Sequence, residues 1–404
     1  MFSKTKNILL SGRPRKMKTE YSIETAMITL LIISLFLIFS TLFKHKIEQA
    51  ETQHAYKFIN GMRGLAAIFV VVNHAPFMLA NMGIKNEVFS SWGWIYANLG
   101  SFGVQIFFCI TGFLFFDKIM KSPAIKWEHF FESRVRRVAP LYYFASLIVF
   151  LIACFFSSTD IFNKDTLMTA AGLLTFSFLD NPSKIGDIAL TPLNSVTWTL
   201  IHEWRFYAVL PLVALTYKSR YNKLVLLIAM LLAAIDLGTS AIVCWAYFLT
   251  GIIAAILHKN AHYKRPPAWL LSIIALCIFL LTSGITESQG YGYVRFLLTS
   301  AFFLCITIAN PKILHAQCLN RLSDISYSIY LMHLPVLYLT FKAAALYFDL
   351  SHISRLTFWS INLAAIPLIT FVSVLTYVHI EKRFMSQKKP APSVPSATKA
   401  EYGV

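Results

Sequence analysis

Charge is scarce in this chain. Only 14% of its 404 residues are Asp, Glu, Lys or Arg, where a soluble domain carries nearer to about a quarter. Acidic residues are the scarcer sign, 19 against 36 basic, which leaves a formal net charge of +17. No polar stretch is long enough to fold alone, so a set of several soluble domains is excluded. The six cysteines (Cys109, Cys154, Cys244, Cys277, Cys305, Cys318) are scattered, mostly in apolar runs. None has metal-ligand spacing; they read as small buried apolar side chains, and no metal site is expected. The positive charge would suit nucleic acid, but basic loops on one side of a membrane protein explain it more simply, so no nucleic-acid partner is expected.

What the chain has in excess is apolar length. It is 57% hydrophobic with 34 Phe, and apolar runs of about 20 residues repeat along it, the length a bilayer-crossing helix needs. The expected fold is all-α: a polytopic transmembrane bundle of about ten core spans, preceded by one extra hydrophobic segment. The core spans fall at 62–82, 98–120, 138–157, 193–217, 223–239, 240–258, 267–283, 292–310, 325–347 and 355–380, and the extra segment at 25–43. Residues 1–24 form a basic tail containing Lys4, Lys6, Arg13, Arg15, Lys16 and Lys18, and 385–404 a Pro- and Ala-rich tail expected to be disordered. The apolar stretch 166–178 is too short to span comfortably and is expected to be interfacial or re-entrant.

Basic residues set the orientation. Lys121, Lys126, Arg134, Arg136 and Arg137 fall in one connection, Lys218, Arg220 and Lys223 in the next alternate one, then Lys259, Lys264 and Arg265, then Lys312 and Arg321, then Lys382, Arg383, Lys388 and Lys389. The intervening connections are poor in basic residues, and the longest holds Asp160, Asp165, Asp180 and Asp187. This alternation puts the basic loops in the cytoplasm, so the ten-span core begins and ends inside. The segment 25–43 breaks the pattern: if it crosses, residues 1–24 lie outside, against the usual bias. It has no clear cleavage site of a signal peptide.

Ionisable residues inside apolar spans are costly, and they usually face a protein interior or a water-filled path. Arg63 and His74 lie in FINGMRGLAAIFVVVNHAPFMLANM, eleven residues apart. That is close to three helical turns, so both project from one face, about 16 Å apart along the axis. In SVTWTLIHEWRFYAVLP, Thr199, Glu203 and Tyr207 share a face, with Trp198 at its start, while His202 and Arg205 point elsewhere. Counted from opposite ends of their spans, Glu203 and His74 reach a similar depth, which would let them form an acid/base pair; a structural ion pair is the plainer role for Glu203. Arg134 and Arg137 share a helix face, able to grip phosphates or simply to mark topology. Ser326, Tyr330 and His333, at spacings of four and three, give a second polar stripe. Gly100, Gly103 and Gly112 suit close helix packing. Glu381 is expected in a surface ion pair with Lys382 or Arg383.

Together these segments resemble the acyltransferase 3 family of integral membrane acyltransferases, from about Phe58 to Phe384. The resemblance rests on the Arg63–His74 spacing, on GVQIFFCITGFL at 103–114, RVRRVAPLYY at 134–143, WTLIHEWRFY at 198–207 and SYSIYLMHLPV at 326–336, in that order. Thr111 stands where the family usually has Ser, and the extra segment 25–43 precedes the core. The resemblance implies a membrane acyltransferase domain over 58–384 that moves an acyl group, most often acetyl, from cytoplasmic acyl-CoA to a hydroxyl of a sugar in an envelope glycan such as lipopolysaccharide O-antigen or exopolysaccharide. It implies His74 and Glu203 as catalytic residues, Arg63, Arg134 and Arg137 as acyl-CoA-binding residues, and Trp198, Thr199, Tyr207, Ser326, Tyr330 and His333 as pocket-lining. No permanently bound cofactor is expected; acyl-CoA is a co-substrate, and a glycan or other hydroxyl acceptor and the lipid bilayer are the partners. A bacterial inner-membrane location follows. Some members carry a hydrolase-like domain after the core; this chain stops about twenty residues beyond it, which would leave transfer to the membrane domain or to a separate protein. A transporter or flippase with an intramembrane His/Glu proton relay is the alternative, though no internal repeat with paired broken helices supports it.

Overall fold

The computed structural model describes residues 15–47, 56–86, 93–122, 124–178, 183–240, 242–260, 266–284 and 290–386. The basic residues Lys4, Lys6, Arg13, Lys264, Arg265, Lys388 and Lys389, together with Asp180 and the tail from 387, lie outside them. In chain order the helices are α1 (Arg15–Leu42), α2 (Lys44–Ile47), α3 (Lys57–Asn81), α4 (Gly93–Lys121), α5 (Trp127–Phe156), α6 (Lys164–Leu174), α7 (Thr191–Asn194), α8 (Trp198–Lys218), α9 (Asn222–Thr239), α10 (Trp245–Asn260), α11 (Ala268–Gly284), α12 (Tyr293–Ala309), α13 (Gln317–Asp324), α14 (Ser326–Ala344), α15 (Arg355–Thr376) and α16 (Lys382–Ser386), with a π-helical turn at Tyr377–Glu381 joining the last two. Each of the ten expected core spans corresponds to one of these helices.

Among the described residues, six helical runs are long and apolar enough to cross a membrane: Ile23–Leu42, Lys57–Asn81, Ile95–Lys121, Trp127–Phe156, Asn222–Thr239 and Arg355–Met385. Helices α10, α11 and α12 are shorter but apolar. Helices α8 and α14 have the length, at 21 and 19 residues, but carry polar side chains that lower their apolarity. Pro76, Pro140, Pro211, Pro335 and Pro367 all lie inside helices. A bundle tolerates them because neighbouring elements and local adjustment satisfy the freed backbone groups. Helix α5 starts at Trp127, well before the expected span, so Arg134 and Arg137 are helical rather than part of a loop.

Helix α3 is the axis of the bundle. It packs on α4, α13 and α14, and α4 packs in turn on α10. Small residues set these distances. A Cβ on Gly103 would lie 2.7 Å from the Ala66 carbonyl oxygen of α3. Gly112 and Gly251 face each other across α4 and α10: a Cβ on Gly251 would lie 2.6 Å from the Phe113 backbone nitrogen, and one on Gly112 would press on the Phe248 carbonyl. The glycine pattern of the second span therefore serves close helix approach, in which dispersion contact replaces a hydrophobic drive that is absent in lipid. Polar residues buried between α4 and α12 are paired. Gln105 accepts from Thr299 Oγ1 at 2.8 Å and donates to the Gly290 carbonyl at 2.6 Å. The buried Arg295 donates to Asn98 Oδ1 and, at 2.8 Å, to the Thr282 carbonyl.

Helix α1 lies along α15 and α13 with Ile32, Phe36 and Ser40 buried. Its two ends are tied to opposite ends of the core. Glu24 pairs with Arg355 at the start of α15 at 2.7 Å, and Thr41 Oγ1 accepts from Arg321 of α13 at 3.1 Å. The extra segment thus runs through the same thickness as the core, parallel to α15, with its basic start on the face opposite Arg321. At that face the connection 157–192 is held by Asp187, whose carboxylate accepts from Ser157 Oγ at 2.8 Å and from the Ser158 backbone and hydroxyl at 2.9 and 2.8 Å. These donors hold its pKa well below the usual carboxylate range. A two-residue hairpin, β1 (Lys184–Ile185) with β2 (Ile188–Ala189), is antiparallel and pairs Lys184 with Ala189. The stretch 166–178 is a short surface helix, α6, capped by Asn163 accepting from Thr166 N at 2.8 Å.

The Gly251 contact can be checked directly. Gly251→Val should overpack the α4–α10 seam and cost about 1–3 kcal/mol. Gly238→Ala, where nothing lies within 4 Å of the added Cβ and the residue is helical, should be neutral to stabilising by up to about 1 kcal/mol. Thermal unfolding in detergent micelles reads both.

Candidate active site

A cavity of about 320 Å³ opens between α3, α4, α5, α8 and α14. Helix α3 contributes Arg63, α4 contributes Thr111, Phe115 and Lys118, α5 contributes Arg134 and Arg137, α8 contributes Thr199, Glu203 and Tyr207, and α14 contributes Ser326, Tyr327 and Tyr330. Glu203 is the lone carboxylate of this lining. Its Oε1 accepts from Thr111 Oγ1 at 3.3 Å and its Oε2 from Tyr207 OH at 3.2 Å. Arg63 and Arg134 are each within electrostatic reach of Glu203 and of Arg137. The Arg134 guanidinium lies 5.2 Å from the Phe115 ring centre, and its Nε is buried without a hydrogen-bond partner. Arg136, between the pair, turns away and bonds Glu132 at 2.8 Å.

Three guanidiniums and one ammonium around a single carboxylate leave a surplus of positive charge in a low-dielectric setting. Like charges repel more strongly there than in water, so the arrangement favours an anion that carries more than one negative charge. Planar guanidiniums can meet phosphate oxygens with forked hydrogen bonds.

Beyond this cavity a series of polar side-chain contacts runs along α14. Tyr330 OH donates to the Val196 carbonyl at 2.7 Å and lies 2.7 Å from Thr199 Oγ1. The Tyr330 ring is 6.5 Å from that of His333, and His333 is 5.3 Å from His74, centre to centre. His333 is fully buried, whereas His74 keeps some accessible surface.

Eight of the eleven residues selected from the sequence line the cavity: Arg63, Arg134, Arg137, Thr199, Glu203, Tyr207, Ser326 and Tyr330. The other three do not. Trp198 stacks edge-on with His202 and Tyr291, at 5.7 and 5.9 Å. His74 and His333 form their own pair. The expected match in depth between Glu203 and His74 is corrected: Glu203 shares its cavity with Arg63, about 16 Å from His74 along α3. The physical reason is the path into α8. Residues 191–197 turn inward as α7 and a short irregular stretch packed on α3 and α14, with Leu193 and Val196 buried. Such non-helical backbone survives in a bundle only when protein satisfies it, and Tyr330 and Thr199 do so at Val196. Position along the sequence therefore does not convert to depth here.

Glu381 also differs from expectation. It is buried, not at the surface, and its Oε1 accepts from Ser328 Oγ, while Oε2 has no hydrogen-bond partner. The π-helical turn at Tyr377–Glu381 inserts one residue and rotates the side chain inward, toward electrostatic contact with Arg137. Thr111, Phe115 and Lys118 were not selected as site residues from the sequence, although their spacing of four and three put them on one face of α4.

A family model described as an acyltransferase domain, that of acyltransferase 3, matches residues 56–378, most of the chain and every residue of the cavity. The chain belongs to this family. Similar members include the peptidoglycan O-acetyltransferase OatA of Listeria monocytogenes, 25% identical over 329 residues that cover 70% of this chain and 49% of that protein. The O-acetyl transferase of Shigella phage Sf6 is 21% identical over 317 residues, 74% of this chain and 89% of the phage protein. The chain thus spans about half the length of the Listeria relative. No solved structure matches it.

The charge surplus makes one outcome measurable. Pyrophosphate or coenzyme A should raise the melting temperature of the purified protein, by up to about 2.7 kcal/mol of added stability at a hundredfold excess over Kd. The double variant Arg134→Gln/Arg137→Gln should lose that rise while folding normally in a thermal scan.

Proposed function

We propose that this protein is a membrane O-acyltransferase that takes an acyl group, most simply acetyl, from cytoplasmic acyl-CoA and delivers it to a hydroxyl on an envelope glycan. The single observation that carries this reading is the cluster of Arg63, Arg134 and Arg137 around one carboxylate in a cavity that Tyr330 also lines, with the Tyr330 ring 6.5 Å from His333 and His333 5.3 Å from His74. The names of the Listeria and phage relatives, both O-acetyltransferases, support acetyl as the group, and that of the Listeria protein, which names peptidoglycan, supports an envelope glycan as the acceptor. Lipopolysaccharide O-antigen, exopolysaccharide and peptidoglycan are the acceptor types in view, and a bacterial inner membrane is the location such chemistry implies.

In this reading the donor's phosphates dock on Arg134, Arg137 and Arg63. Glu203, bonded to Thr111 and Tyr207, offsets part of the arginine repulsion and holds the guanidiniums in position. The pantetheine arm extends along the polar stripe of α14 and presents its thioester near His74. The imidazole accepts the proton of the acceptor hydroxyl as its oxygen bonds to the carbonyl carbon. The tetrahedral intermediate then expels the thiolate, the carbon–sulfur bond breaks, and the imidazolium returns the proton to sulfur. Ester and free CoA leave on opposite sides. Transient acylation of His74 itself is the covalent variant of the same step.

His74→Ala should abolish incorporation of radiolabelled acetyl from acetyl-CoA into glycan, by 100-fold or more given the usual weight of general-base catalysis, about 10²–10⁴, with membrane insertion unchanged. Glycan labelled normally by that variant removes His74 from the mechanism. Arg134→Gln/Arg137→Gln should instead raise KM for acetyl-CoA with little change in acceptor KM; steady-state kinetics on purified protein separate the two. Movement of substrate across vesicles without any label in glycan would favour the transporter reading.

A further inference from the structure

His333 is the residue that the mechanism above leaves without a task. Its Nδ1 lies 2.9 Å from the Ile329 carbonyl oxygen, one turn earlier on α14. A carbonyl can only accept, so Nδ1 carries the hydrogen. A second proton would put an unpaired charge on a fully buried ring, which is costly. The ring is therefore neutral and its Nε2 presents a lone pair. That Nε2 is buried and has no hydrogen-bond partner, a state that normally costs stability and calls for an explanation. The ring that faces it is His74, 5.3 Å away between centres with the planes at 43°. The two rings are not hydrogen-bonded to each other as they stand; turned edge-on at that separation, two imidazoles bring their nitrogens to about 3 Å, a normal hydrogen-bond distance. Both histidines also sit two residues before a proline inside their helices, Pro76 and Pro335. Each proline frees a carbonyl one turn back and loosens the helix locally, which gives these rings room to adjust.

We infer that His333 is a positioning residue for His74: its Nε2 accepts the hydrogen of one His74 nitrogen and so leaves the other His74 nitrogen as the lone pair that faces substrate. The chain of donors runs from His74 to His333 and from His333 to the Ile329 carbonyl. His74 takes up the acceptor's proton and returns it to the thiolate, while His333 moves no proton in the net reaction. The role is that of the carboxylate behind a catalytic histidine, filled here by an imidazole. It also replaces the partnership first expected of Glu203, which belongs to the arginine cavity. This inference rests on the acyltransfer reading.

The test uses the full chain purified in detergent or nanodiscs, with labelled acetyl-CoA and the acceptor glycan. His333→Asn keeps an amide N–H able to reach the Ile329 carbonyl but has no atom at the Nε2 position. It should melt close to the parent protein and keep its KM for acetyl-CoA within about threefold, while kcat falls by about 10–100-fold, the loss typical when the hydrogen-bond partner that orients a metal-bound histidine is removed. His333→Gln, whose amide oxygen can stand near Nε2, should recover part of kcat, and it decides the matter if the Asn variant does not fold. A folded His333→Asn protein with parental kcat overturns the inference, as does an equal loss of kcat in folded Asn and Gln variants. A parent protein that transfers no acetyl to any glycan overturns the acyltransfer reading itself, and with it the role of His333.

Discussion

Guanidinium charge held inside an apolar bundle is the constraint on which the rest of this structure depends. Taking a charge out of water costs several kcal/mol after relaxation, and here Arg63, Arg134 and Arg137 converge on one cavity with a single carboxylate among them. The bundle meets that cost with specific devices. Glu203 is fixed by Thr111 and Tyr207, Phe115 lies beneath Arg134, and Glu381 stands behind Arg137 from a π-helical turn. The incomplete neutralisation is what suits the cavity to the multiply charged anion that the proposed function requires.

Helix α3 links that cavity to the histidine pair. Its rigid rise fixes the distance between Arg63 and His74 at about 16 Å, and the helices that pack on it through glycine seams hold the register. Two chemically different groups of side chains thus share one helix: a cationic cavity, and a pair of imidazoles farther along. Tyr330, bonded to the irregular backbone at Val196, sits between them. The separation suits chemistry in which charge stays near one face and the reacting bond lies deeper, away from water that would hydrolyse a thioester.

Much of this was legible in the residue order. Runs of about 20 apolar residues give the helical membrane bundle because backbone groups in lipid must be satisfied within the segment. Arg63, Glu203, Tyr207 and Tyr330 stand out because charged and polar side chains in such runs are costly, and Arg134 and Arg137 because their spacing of three puts both on one helix face. The glycines of α4 read correctly as packing. Three features were not legible. The inward turn at 191–197 moved Glu203 away from His74. The π-helical turn buried Glu381. The passage of α1 through the full thickness of the bundle depends on Glu24 meeting Arg355 and Thr41 meeting Arg321, contacts between residues 280 or more positions apart.

The amino-acid order by itself determined the class of fold, the helices and the inventory of costly side chains, because each follows from local periodicity and from the energetics of transfer into lipid. Which of those side chains meet was decided only by the tertiary structure. Irregular segments break the link between sequence position and depth, and partners such as His74 and His333 lie on helices separated by most of the chain. Their pairing is a property of how α3 and α14 pack, and no window of either helix contains it.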